Sequence, residues 1–354
     1  MKTPSKSLPL ATALMLSSLD KISAFVPFIS PKHMSKTSQS SLNAALQSGQ
    51  GKVGVIGAGF QAVLTAKVAS IVGGYDTWIV CPPGEEAKFD ELIYASDSEK
   101  GKDGSTPIQY VQSEDIENLL KAGDTEALFM IVDGEGTLRP DSIGKIFDWG
   151  GDKLKRVVAM SRNLANNEGY GFFAKAAKTG ANNEIWLGPE SPPELIRQYK
   201  EFEDTVKKSC EKNGIEYTIA RAGTLKGGGI GAYEEDSEVD DEESGNCYPQ
   251  YLTKRYYELT KKDLITWQLL YDCDVRGVTI SSGDVAPGPG FKAILNAKNN
   301  KANAGDTSRC GLAETMVRSL SVESAGNADF GVGVADSRTI PTDEEWTSLF
   351  GALS

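Results

Sequence analysis

Beyond residue 50, apolar positions fall into two recurring patterns. KVGVIG (52–57) is a short apolar run closed by glycine, and AVLTAKVASIV (62–72) then repeats apolar residues at helical spacing. YDTWIVCP (75–82), PIQYVQ (107–112), EALFMIVDG (126–134) and RVVAMSR (156–162) are further strand-like runs, the last two nearly continuous in apolar residues, as parallel strands covered on both faces require. SEDIENLLKAG (113–123) reads as an acid-capped helix, LIRQYKEFEDTVKKSCEKNG (195–214) as a helix stopped by Gly214, and IEYTIARAG (215–223) as a sixth strand. Strands joined by helical crossovers predict an α/β fold, a doubly wound parallel sheet of the Rossmann kind, as one domain over 51–354. A small C-terminal subregion is expected on its substrate or partner side.

The pattern breaks over 227–305. KGGGIGAY is followed by EEDSEVDDEESG, with eight acids within 234–243. Such a run reads as a solvated loop, or as a docking surface for a basic protein partner or a cation. YPQYLTKRYYELTKKDLITWQLLYDC (248–273) has aromatics at helical spacing that suit either a core or a partner face, and DVRGVTISSGDVAPGPGF (274–291) predicts a strand and a Pro/Gly turn.

Composition is that of a globular chain: 354 residues, 40% hydrophobic and 24% charged. No apolar run approaches the roughly 20 residues of a membrane-spanning helix. Residues 1–24 carry Lys2 and Lys6, an apolar stretch and a small-residue ending, the layout of a signal peptide. Residues 25–50 are Ser-rich and acid-free, the composition of a transit peptide. The junction SAFVP (23–27) resembles the ASAFAP-type cleavage motif of bipartite plastid presequences in diatoms and related algae, which implies a plastid protein; plain secretion is the alternative. The first 50 residues hold five lysines and one aspartate, which leaves 32 basic and 48 acidic residues and a formal charge of −16. Nucleic acid is not an expected partner of so acidic a chain. The one histidine, His33, lies in the presequence, so Ser-His-Asp chemistry and His-ligated metals are excluded. The five cysteines never fall in a CxxC spacing, and no metal site is expected.

The chemistry concentrates at the first strand-to-helix turn, Gly57-x-Gly59-x-x-Ala62, the GxGxxA variant of the dinucleotide fingerprint. Its expected cofactor contacts are Gly57, Ala58, Gly59, Phe60 and Gln61, with Cys81 and Asp133 near the ends of the second and fourth strands. The same glycines could serve the turn alone.

RVVAMSR, GIEYTIARAGTLKGGG and the closing DTSRCGLAETMVRSLSVESAGNADFGVGVADS together resemble the atypical short-chain dehydrogenases/reductases, in particular NmrA-like NAD(P)-binding proteins. The resemblance runs from about residue 52 to the C-terminus, broken by the 227–305 insertion. It implies that Ser161, Arg221, Ala222 and Gly223 flank the nicotinamide and that the cofactor is NADP, although Cys81 stands where the family usually carries its 2′-phosphate-binding arginine. NAD stays open, with Glu85 and Glu86 able to meet ribose hydroxyls and Lys88 able to reach a phosphate.

The family's catalytic Tyr-x-x-x-Lys pair has no match in place. Counting back from Glu203, the family's helix glutamate, puts Leu195 and Tyr199 there; counting forward from Ser161 gives Ala174 and Lys178. Tyr257-x-x-x-Lys261 lies beyond the sixth strand. Candidate catalytic residues are therefore Ser161, Tyr199 and Lys178, with Tyr170 and Lys175 as further candidates. The departures favour a non-catalytic, redox-responsive scaffold or assembly factor that binds NAD(P). The alternative is an NAD(P)H-dependent oxidoreductase acting on a small carbonyl or enone.

Overall fold

A computed structural model of the chain describes residues 45–94, 106–133, 136–150, 153–163, 193–228, 251–253, 255, 277–285, 306–335, 337 and 339–353. The presequence, the acidic run 234–243 and the aromatic segment 256–273 lie outside them.

Ten strands are described: β1 (Lys52–Ala58), β2 (Asp76–Val80), β3 (Gln109–Val111), β4 (Thr125–Val132), β5 (Arg156–Arg162), β6 (Glu216–Ala222), β7 (Thr224–Lys226), β8 (Val278–Ser282), β9 (Asp306–Ser308) and β10 (Ala328–Val334). Eight form one sheet in the order β3-β2-β1-β4-β5-β6-β10-β8, and β7 pairs with β9 in a small parallel ribbon. All pairings in the large sheet are parallel except β10 with β8 at the edge. The order 3-2-1-4-5-6 is the doubly wound arrangement expected from the sequence, and it reverses between β1 and β4. The strand expected within 274–291 is the antiparallel β8.

The helices are α1 (Phe60–Ile71), α2 (Glu86–Ile93), α3 (Ile116–Lys121), α4 (Pro140–Trp149), α5 (Pro193–Asn213), α6 (Arg309–Arg318) and α7 (Asp343–Gly351). They cover the two faces separately. On one face Val55, Phe129, Ile131, Val158, Met160 and Ala220 pack with α1 and α6; on the other Leu128, Met130, Val157, Ala159 and Ile219 pack with α4 and α5. Period-two alternation along each strand sorts the side chains between these layers. In β1, Gly54 leaves room for Trp78 on β2, whose indole would lie 2.1 Å from a Cβ there and donates to Thr125 Oγ1 at 3.2 Å. α1 is buried from Phe60 to Ser70 because α6 packs over it, which explains why its sequence has little polar face.

The described piece of the insertion is tied to this layer. Tyr251 and Leu252 are buried, Thr253 N–H donates to Leu92 O at 2.9 Å, and the Tyr251 hydroxyl donates to Glu314 Oε1 on α6. Burial pushes the Glu314 carboxyl above the usual carboxylate range, and the opposing pull of the Tyr251 hydroxyl and of Arg318 does not cancel it. A raised folded pKa gives a stabilising contribution that is complete below the unfolded value of about 4.3 and is lost as pH rises through the folded value. Melting curves of the wild type and Glu314→Gln across pH 4 to 8 should therefore show the wild type losing ground to the variant as pH rises; a pH-independent difference would refute this.

Candidate functional site

The site lies at the carboxyl ends of β1, β4 and β5, where the strand order reverses and where open α/β sheets place ligands. Gly57, next to last in β1, lies opposite Ile131 of β4, so close that a Cβ would stand 1.6 Å from the Ile131 carbonyl oxygen. Gly59 has φ 93°, and its Cβ would meet Asp133 O at 2.7 Å and Asp133 Cβ at 2.8 Å. Both glycines thus admit β4 and the residue after it as well as shaping the turn.

Asp133 is fixed there by its own N–H, which donates to Ala58 O at 2.9 Å. Gly59 at the N-terminus of α1 has no side chain to offer, and Asp133 Oδ2 instead accepts the Gln61 N–H at 3.2 Å. A carboxylate is well placed at this positive helix end. Two arginines converge on it: Arg162 Nη2 is 3.7 Å from Oδ1, and Arg309 Nε is 3.7 Å from Oδ2. These are ion pairs looser than hydrogen bonds. The guanidinium donors also hold the chain beyond β6, Arg162 through Gly223 O at 3.0 Å and Arg309 through Leu225 O at 3.2 Å and Gly227 O at 2.9 Å. Gln61 is wholly buried; its Nε2 donates to Arg309 O at 3.0 Å, while its Oε1 has no hydrogen-bond partner among the described residues. Both arginines are 3% exposed. Two cations and one helix N-terminus therefore meet at the Asp133 carboxylate in a nearly dry setting, a concentration of positive groups that suits an anion.

The other expected residues are distributed as follows. Ser161 faces the α4/α5 layer, opposite to Arg162; it is fully buried, and its Oγ has no hydrogen-bond partner among the described residues. Arg221 pairs with Ser161 in register and is held bidentately by Glu203 on α5, at 2.9 and 2.7 Å, and by Asp329 at 3.0 Å, with Asp284 at 3.6 Å. Those partners hold its guanidinium charged more firmly than usual. Burial would raise the Asp329 carboxyl, but Lys207 at 2.6 Å and Arg221 outweigh it and hold it below the ordinary range. Ala222 is buried, and Gly223 N–H donates to Thr307 Oγ1 at 2.8 Å. Tyr199 is buried on the α5 face that carries Phe202, Val206 and Cys210. Lys178, Ala174, Tyr170, Lys175, Tyr257 and Lys261 lie outside the described residues, as does the side chain of Leu195.

Cys81 is buried just past β2, and burial first, then Glu86, Glu85 and Asp90, pushes its thiol up to about 12. Lys88 is paired with Glu85 at 2.5 Å. Among the described residues no cluster of His, Cys, Asp or Glu could hold a metal, and no helix is long and apolar enough to cross a membrane. Sequence reasoning included Asp133 but missed Arg162 and Arg309. The available signals were a charged residue ending an apolar strand and the arginine of the Ser-Arg-x-x-x-Ala element.

No protein-family model matches the chain, and no curated protein matches it. Solved structures similar to it include a wide-type short-chain dehydrogenase/reductase from Veillonella parvula in complex with NADP, at 13% identity over 82% of this chain and 99% of that chain, TM-score 0.41. A protein from Bacillus halodurans assigned as an NAD-dependent epimerase/dehydratase is 14% identical over 85% and 99%, TM-score 0.44. An oxidoreductase from Lactococcus lactis is 10% identical over 84% and 97%, TM-score 0.41. The doubly wound fold rests on the strand order itself.

Proposed function

We propose that this chain binds a nicotinamide dinucleotide across the carboxyl ends of β1, β4 and β5, and that it acts as a redox-responsive scaffold or assembly factor of a plastid. The observation that carries the binding reading is the convergence of Arg162 and Arg309 on the N-terminus of α1, behind the Gly57-x-Gly59 turn. The diphosphate would lie on the first-turn N–H groups of α1, with the two guanidiniums supplying counter-charge. The nicotinamide would extend towards the ends of β5 and β6, near Ser161 and Gly223. Bound there, the dinucleotide would supply a redox-dependent charge on its ring for a partner to read.

The non-catalytic reading is supported by the Glu203–Arg221 pair. It fixes α5 against β6 in the register that puts Leu195 and Tyr199 where the family it resembles has its tyrosine and lysine. Without a proton donor in place, a factor of about 100 to 10,000 in rate is missing. The reductase alternative is supported by Ser161 at the end of β5, with Tyr199 and Lys178 as its proton-transfer candidates.

The end of β2 bears on the choice of dinucleotide. Family resemblance points to NADP, but Glu85 and Glu86 follow Cys81 by four and five positions, with Asp90 one turn further on, and this negative potential opposes a 2′-phosphate. Titrating the full chain by tryptophan quenching should show NADH bound at least about tenfold more tightly than NADPH, since a doubly charged phosphate is placed beside three carboxylates, Glu85, Glu86 and Asp90, with Lys88 on Glu85. The complex should not oxidise NADH with small carbonyls or enones. Tighter NADPH binding would reverse the cofactor assignment, turnover would establish the reductase, and no binding of either at millimolar concentration would end the dinucleotide reading.

A further inference from the structure

We propose that Asp133 is a resident anion in the diphosphate position: its carboxylate occupies the α1 N-terminus and must give way before a dinucleotide can bind, so the site is self-inhibited. This rests on the dinucleotide reading above and adds its regulation. Three features place the carboxylate in that role. Asp133 Oδ2 accepts the Gln61 N–H, one of the first-turn donors a diphosphate would need. Its Cβ would stand 2.8 Å from a Cβ on Gly59, so the side chain starts right beside the glycine turn. Its two oxygens also stand against Arg162 and Arg309, the cations available to a phosphate.

The arrangement is held loosely enough to exchange. Both ion pairs are 3.7 Å long, and the 3.2 Å bond to Gln61 is at the long end of its range. Asp133 brings one negative charge to the two guanidiniums, whereas a diphosphate brings two negative charges and more acceptor oxygens. Exchange is therefore driven by the second negative charge and the extra acceptor oxygens of the diphosphate, while the resident carboxylate lowers the affinity. The backbone N–H of Asp133 stays on Ala58 O at 2.9 Å, and rotation of the side chain about its own bonds suffices to take the carboxylate off the Gln61 N–H. The family fingerprint does not ask for an acid here, and no second segment of the chain is needed for the effect.

The test uses the full chain and its Asp133→Asn and Asp133→Ala variants. Each is titrated with NADH and, separately, with inorganic pyrophosphate, and each is melted without ligand. Asparagine keeps the shape and the acceptor for Gln61 while removing the charge, and alanine removes the group altogether. Both variants should bind both probes about tenfold more tightly than the wild type, the size expected for removing one like charge at contact with a phosphate. Both should melt at a lower temperature without ligand and recover in pyrophosphate. Equal or weaker binding by both variants would overturn the inference and leave the dinucleotide reading standing. Pyrophosphate bound without NADH would end the dinucleotide reading, with the variant-to-wild-type ratio still deciding the role of Asp133. Binding of neither probe by any of the three proteins would overturn both.

Discussion

Replacing Gly57 with alanine should cost about 4 kcal/mol of stability, near the upper end of what one core substitution does. The added Cβ would stand 1.6 Å from the Ile131 carbonyl oxygen and 2.6 Å from its carbon, and both are backbone atoms of β4 in the middle of the sheet. No side-chain rotation relieves that contact, so β1 and β4 must separate where Gly57 pairs with Ile131. Gly84 supplies the control: φ is 80° there, but nothing lies within 4 Å of its would-be Cβ. Gly84→Ala should cost only the conformational penalty, about 1 to 2 kcal/mol. Urea unfolding of the two variants separates steric from conformational cost, and equal losses would mean that the close approach of β1 to β4 is wrong.

The second large effect is expected at Arg156, at the opposite end of the sheet. Its side chain is fully buried at the start of β5, where Nε donates to Glu216 Oε2 at 3.0 Å and Nη2 donates to the same oxygen. Nη1 donates to Ser319 O and, at 2.8 Å, to Val322 O, two carbonyls of the turn that follows α6. Arg156→Met would keep much of the volume but leave the Glu216 carboxylate unpaired and those carbonyls unsatisfied, at a cost of about 3 to 5 kcal/mol. Arg156→Lys should restore only part, because a single ammonium cannot reproduce the fork that bridges two strands and a turn. Dinucleotide affinity should stay within about twofold in any variant that folds, because Arg156 lies at the amino ends of the strands. A large loss of affinity in folded Arg156→Lys would contradict the separation of scaffold and site.

How far these features can be read from the sequence follows from the range of the forces that set them. β4 and β5 were legible because a parallel strand covered on both faces reads as a nearly continuous apolar run, as EALFMIVDG and RVVAMSR do. The end of α5 was legible because Gly214 adopts φ 67°, a local requirement. α7 was missed although Thr342 and Glu345 form a capping box, a signal plainly present in TDEE. The β7–β9 ribbon was not legible, because its three-residue strands lie about 80 positions apart and carry no period of their own. Within the site, the glycine fingerprint was legible and its occupant was not. Asp133, Arg162 and Arg309 meet only because β4 and β5 end, and α6 begins, at one place, and no spacing in the sequence encodes that meeting. Arg221 shows the same limit from the other side: the resemblance sets it beside a nicotinamide, whereas the folded chain surrounds it with Glu203, Asp284 and Asp329.

The most direct test of the account is a crystal structure of the full chain grown with NADH. The account predicts the diphosphate on the Gln61 N–H at the N-terminus of α1, within reach of Arg162 and Arg309, and the Asp133 carboxylate turned away from that N–H. A dinucleotide bound elsewhere, or none bound at saturating NADH with Asp133 still on Gln61, would contradict it.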